Sequence, residues 1–251
     1  MSCVQQLEEA AEWSRICELQ EAALECRKAR LFEAAWNAEV HSTVLRLALQ
    51  GKRRKESGVW YRDITTARIT KSYLPPQIAG EDQASGGKMV DYAIIIEPPK
   101  DMRGCVRKQA RRHGVHSINH TAQEHICHDP IAISIETKRR AIEEDEAEVQ
   151  LSNWVSAHFT HLRLLSSDYG ELSSEPIPAL PLVLIQGDVW RLCIAKSESL
   201  HELHIIKYQV IGNTETILGI YKLLASLRRL ARWVRHDYWP WFVRHILNQG
   251  M

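Results

Sequence analysis

The order of periodicities along the chain, helix, strands, helix, strands, helix, predicts an α/β fold built on one mixed sheet. Two apolar runs carry this expectation, Met89 to Ile96 and Ile131 to Lys138, each of strand length. A third sign is the stretch from 143 to 165. There Leu151, Trp154, Val155, His158, Phe159, Leu162 and Leu165 recur at intervals of three and four, the spacing of a helix laid on a sheet. A chain of 251 residues can bury a large core, and 45% hydrophobic with 25% charged residues excludes a fibre or a disordered chain.

The elements follow in order. Residues 4 to 50 keep helical spacing with no Pro or Gly until Gly51, and the basic cluster Arg27-Lys28-Ala29-Arg30 divides them into two helices. At 100° per residue the second helix places Leu31, Ala35, Ala38, Leu45 and Leu49 on one stripe and Trp36, Val40, Val44 and Leu47 opposite. It is apolar nearly all round and is expected to be central and buried. Lys52 to Gly58 reads as a charged turn, and Leu74 to Lys88, with two Pro and three Gly, as a loop. Pro98-Pro99 ends the first strand, and a polar, basic, His-rich stretch leads to the second. After a Ser/Pro loop from Ser166 to Pro181, the runs Leu182 to Gln186, Val189 to Ala195 and Leu203 to Val210 read as strands. Turns at Gly187-Asp188 and Ser197 to Ser199 make them antiparallel. A last helix starts near Thr214 as its cap and passes Arg235, with Pro240 kinking or ending it.

Charge and composition narrow the function. Lys and Arg number 32 against 31 acids, a net charge of +1, so any grip on nucleic acid must come from local patches rather than bulk charge. No apolar run approaches the ~20 residues of a membrane span. The N-terminus turns acidic at once and has no apolar signal core, so the expectation is an intracellular protein of nucleus or cytoplasm, not a secreted one. Six cysteines without a CxxC pair fit reduced thiols. Walker, GxGxxG, HExxH and GxSxG motifs are absent, and no organic cofactor is expected.

The segment richest in chemistry is Ile131 to Lys138. Strand alternation sets Ile131, Ile133 and Ile135 on one face and Ala132, Ser134, Glu136 and Lys138 on the other, small residues followed by an acid and a base. Such a face suits a cleft wall, and it also suits a salt bridge where a sheet meets water. Asp91 opens the other apolar strand, where an acid is costly unless it is paired, bound to a cation, or used as a turn residue at the entrance. Glu39 sits within the apolar helix, where a solvated face is hard to find. Gln186, at a strand end, is an accessory polar group or a sheet-edge hydrogen bonder.

Asp on one strand, Glu-x-Lys on its neighbour and Glu on a preceding helix, here Asp91, Glu136, Lys138 and Glu39, is the pattern of the PD-(D/E)XK nucleases. The surroundings sharpen the likeness. Trp36 to His41, Ser134 to Arg139, Ala179-Leu180-Pro181 with Ile185-Gln186-Gly187, and Tyr238-Trp239-Pro240-Trp241 resemble a group of fungal PD-(D/E)XK nuclease-like proteins. The resemblance spans roughly residues 30 to 245. It implies a restriction-endonuclease-like mixed sheet flanked by helices, with N-terminal and C-terminal helical additions. The division it suggests is an N-terminal helical extension over 1–29 and one nuclease-like domain over 30–251, with a basic His-rich insertion at about 98–130. Val90 stands in place of the name-giving Pro, and 45 residues separate Asp91 from Glu136.

The resemblance implies divalent-metal-dependent phosphodiester hydrolysis, or a protein derived from such a nuclease. Asp91 and Glu136 would hold Mg²⁺ or Mn²⁺, with Glu39 completing the shell or holding a second ion, and all four residues should converge. Lys138 would orient the attacking water and offset developing charge. Two other uses of the scaffold stay open: a small-molecule enzyme of natural-product biosynthesis, a cyclase or isomerase, and a binding module with an idle site. In the insertion, Arg107, Lys108, Arg111 and Arg112 form a phosphate-contacting arm or a solvated helix face. The arginines of the last helix, interleaved with Trp and Tyr, bind a strand or flank core aromatics. His116, His120, His125, Cys127 and His128 match no standard zinc frame, and a polar surface loop is the expected home. No membrane partner is expected, and a homodimer is compatible with the chain.

Overall fold

Six strands hydrogen-bond in chain order in the computed structural model, which describes residues 3–50, 54, 57–74, 90–112, 116–139, 144–167, 176–199 and 202–247. They are β1 (Val59–Asp63), β2 (Tyr92–Ile96), β3 (Ile131–Lys138), β4 (Leu180–Gln186), β5 (Val189–Ser199) and β6 (Glu202–Asn213). Only β3 and β4 run parallel. A parallel pair needs a crossover, and the helix between them supplies it. Every residue of β2, β3 and β4 is buried, as strands covered on both faces must be. The expected charged turn and the loop before Asp91 lie largely outside the described residues, and β2 starts at Tyr92 rather than Met89.

Helices cover the two faces. On the Ser134 face lies α5 (Glu144–Ser167), whose Trp154 Nε1 donates to Ser134 Oγ at 2.9 Å. On the other, Tyr92, opposite Ile135 in the ladder, donates its hydroxyl to the Asn37 carbonyl at 2.9 Å. Asn37 belongs to the second of two N-terminal helical runs. The first, α1 (Cys3–Lys28), ends in the basic cluster, and Arg30 turns the chain with φ of 52°. Ile16, Leu19, Ala23 and Cys26 bury α1 against the core. The second run is α2 (Glu33–Trp36), a π-helical turn (Asn37–His41) and α3 (Ser42–Leu49).

That second run corrects an expectation. It is not buried all round: Ala38, Glu39 and Arg46 are exposed. A π turn closes its hydrogen bonds one residue further along, so positions past it are rotated from where an uninterrupted 100° wheel puts them.

The insertion carries α4 (Arg103–Arg112). At the C-terminus, Thr216 caps α6 (Ile217–Trp233), its Oγ1 accepting from Gly219 N at 3.0 Å. Thr214, the expected cap, donates to Asp188 Oδ1 instead, at 2.8 Å. Pro240 does not end the helix. It falls in α7 (Trp239–Phe242), and the helical run passes through it, with π-helical runs Val234–Tyr238 and Val243–Leu247 on either side. Tyr238, Trp239, Trp241 and Phe242 are buried, and Tyr238 donates its hydroxyl to the Ile131 carbonyl at 2.8 Å. The aromatics are core. Among the described residues no helix is long and apolar enough to cross a membrane.

Candidate active site

The last residues of β3 place Glu136 and Lys138 on the face covered by α5. Lys138 Nζ lies 2.8 Å from Glu136 Oε1 and donates to Gln150 Oε1 of α5, also at 2.8 Å. Glu136 is 1% exposed and Lys138 8%. The pair is therefore under a helix, not at the wet margin where an ordinary surface salt bridge would sit. Gln186 is level with Lys138 across the parallel ladder and is buried too.

Asp91 arrives from the entrance of β2, fully buried. Its amide donates to the Ile135 carbonyl at 3.0 Å. Its Oδ2 accepts twice from Thr137, from the backbone N at 2.9 Å and from Oγ1 at 2.7 Å. Thr137 alternates with Glu136, so the Asp91 carboxylate is fastened on the Thr137 side of β3 while Glu136 and Lys138 reach toward α5. The two acids are attached at consecutive residues near one strand end, from either side of it.

The helix over Tyr92 contributes a group that sequence reasoning missed. His41 Nε2 lies 3.0 Å from the Gly187 carbonyl and Nδ1 2.9 Å from the Asn37 side-chain amide. The Gly187 carbonyl only accepts, so Nε2 carries the proton and Nδ1 of the neutral ring accepts from the Asn37 amide group. Burial drives the ring to about 4, against the opposing pull of the Gly187 hydrogen bond and the nearby Asp91 charge, so it is neutral at physiological pH. The signal was the i, i+4 pair Asn37 and His41 in the same hexapeptide as Glu39.

Glu39 does not join this group. It is exposed and lines a groove between the N-terminal helices with Arg15, Glu18, Thr43 and Arg46. Its carboxylate, after burial, helps push the Cys26 thiol of α1 up. Among the described residues no three acids, histidines or cysteines form a group able to hold a metal, and the expected convergence of the four residues is not met: Glu39 lines the outer groove, and the Asp91 carboxylate is held on the opposite side of β3 from Glu136 and Lys138. On the sheet side of the π turn stand Asn37 and His41, which leaves Glu39 on the groove beside α1.

In the insertion, Arg107, Lys108 and Arg111 are exposed on α4, while the Arg112 side chain lies outside the described residues. His116, His125 and His128 are exposed, as a surface loop predicts. His120 is not: it is fully buried, 4.3 Å from the Trp154 ring centroid and stacked on His158 at 4.9 Å.

Chemically, the two buried carboxylates are hard oxygen donors, the ligand class that Mg²⁺ and Mn²⁺ prefer. A family model described as PD-(D/E)XK nuclease superfamily matches residues 3–239 and so includes α1, which the sequence likeness left out. No curated protein and no solved structure matches the chain.

Proposed function

The chain belongs to the PD-(D/E)XK nuclease superfamily, and from that premise we propose that it is a divalent-metal-dependent phosphodiesterase of nuclease type, or a descendant of one, working through Asp91, Glu136 and Lys138. The observation that carries the reading is the Glu136–Lys138 pair, 2.8 Å apart and buried at the end of β3, with Asp91 secured to the intervening Thr137. Asp91 and Glu136 would hold the ion, supplying carboxylate oxygens to it. Such an ion, when bound, stabilises charge on the phosphoryl oxygens and lowers the pKa of bound water. Lys138 places a positive charge where negative charge builds in the displacement. Thr137 holds Asp91 in place, and Gln186 lies where it can orient a polar group.

An idle site is the second reading, favoured by the Thr137 and Lys138 contacts, which engage both carboxylates from within the chain. Calorimetry and turnover separate the two. A working site binds Mg²⁺ or Mn²⁺, cuts oligonucleotides only in their presence, and binds Ca²⁺ without supporting turnover, because the larger ion tolerates geometry that misplaces the water. Absence of divalent binding at millimolar concentration selects the idle site.

A further inference from the structure

Two adjoining clefts lie toward the other end of β2 from Asp91. The larger, about 690 Å³, is walled by Arg54, Trp60, Glu97, Lys100, Arg103 and Arg235. The smaller, about 480 Å³, shares Ser57 and Arg235 with it and adds Arg228 and Arg232 of α6. Their linings hold six cations against one carboxylate, in a chain whose net charge is +1. That carboxylate is already committed, since Glu97 is bonded by both Arg54 and Arg62. Arg228 is likewise answered by Glu12. Among the described residues no ion pair engages Lys100, Arg103, Arg232 or Arg235.

Concentrating these charges raises the energy of the empty cleft, and the local structure holds them there. Gly58, at φ of +66°, lets β1 approach so closely that a Cβ would stand 3.0 Å from the Glu97 carbonyl oxygen, which brings Trp60 and Glu97 to one wall. Arg54 lies 4.5 Å over the Trp60 ring, and Arg103 Nε donates to the Pro98 carbonyl at 3.2 Å, which aims its guanidinium. Arg232 and Arg235, three residues apart in the helical run that continues α6, share a side. The six cations line two walls, more than one small anion would pair with.

We propose that these clefts bind the phosphodiester backbone of a nucleic-acid strand, with Lys100 and Arg103 on one wall and Arg232 and Arg235 on the other contacting successive phosphates. The concave shape and the Trp60 ring favour a strand over a flat anionic membrane. The ligand's identity rests on the nuclease-type reading, but its binding requires neither hydrolysis nor a metal.

The test is fluorescence anisotropy of a labelled single-stranded oligonucleotide with the full chain in EDTA, from about 50 to about 200 mM salt. The paired substitutions Lys100→Gln with Arg103→Gln, and Arg232→Gln with Arg235→Gln, should each weaken binding about tenfold or more and flatten the salt dependence by roughly 0.7 for every phosphate left without its cation. Lys222→Gln, exposed on α6 and outside both linings, should leave binding unchanged. Circular dichroism checks that the variants fold. Variants that bind like the wild type with the same salt slope overturn the proposal, as does a wild type that binds no oligonucleotide or prefers anionic phospholipid vesicles. Binding that depends on the clefts without any metal-dependent cutting would defeat the nuclease reading alone.

Discussion

Asp91 can be buried because Thr137 answers it twice, and hydrogen bonds to a charged acceptor are worth about 1.5–3 kcal/mol each. Three imidazoles meet burial differently, by giving up their proton. Burial holds His41 near 4 and His158 near 3, and His120, packed against His158 and close to His161, well below its ordinary value. In the unfolded chain each titrates near 6.5. Above that pH neither state binds the proton, and the groups contribute no pH dependence. As pH falls below it, the unfolded chain takes up protons that the folded chain refuses, so stability declines, by up to about 1.4 kcal/mol per pH unit for each ring, until the folded values are reached. Denaturant unfolding should therefore show a steep loss between pH 7 and pH 5. His158→Gln should flatten that slope by about one proton, and a wild-type stability unchanged over this range would contradict the assignment of these rings as neutral.

At the scale of elements, β6 and α6 meet in close contact at Gly212. A Cβ built on Gly212 would lie 2.6 to 2.7 Å from the N, Cα and Cβ atoms of Leu223, atoms in or next to the backbone that cannot swing aside. Gly212→Ala should force β6 and α6 apart and cost about 1–3 kcal/mol, with a matching fall in the denaturation midpoint. A variant as stable as the wild type would mean that the joint is looser than described. Element structure was legible where local pattern decides it. The Ile131 to Lys138 run is a strand over all eight residues because β-branched residues and strict alternation agree there. The same alternation found Glu136 and Lys138. It could not find Thr137 as the partner of Asp91, a contact across 46 residues with no periodic signature. Glu39 was misplaced because a π turn leaves no mark in a hydrophobic pattern, and the same turn hid His41, which faces Gly187 and the end of β4.

Over the whole molecule, a net charge of +1 conceals a segregation: buried carboxylates near the C-terminal end of β3, and a concentration of cations toward the opposite end of the sheet. Asp91 and Glu97 flank the five residues of β2, so roughly 20 Å of strand separates Asp91 from the basic wall. Charge totals therefore weigh little against a nucleic-acid ligand in this chain. What decides its chemistry is whether Lys138 acts on a substrate or only neutralises Glu136. Lys138→Met keeps the length and removes the charge. Turnover of an oligonucleotide with Mg²⁺ or Mn²⁺, measured beside thermal stability and metal binding on one preparation, tests this directly. The proposed mechanism predicts a folded variant that still binds the metal through Asp91 and Glu136 but cuts on the order of 10²-fold or more slowly. A folded variant that cuts as fast as the wild type would contradict it.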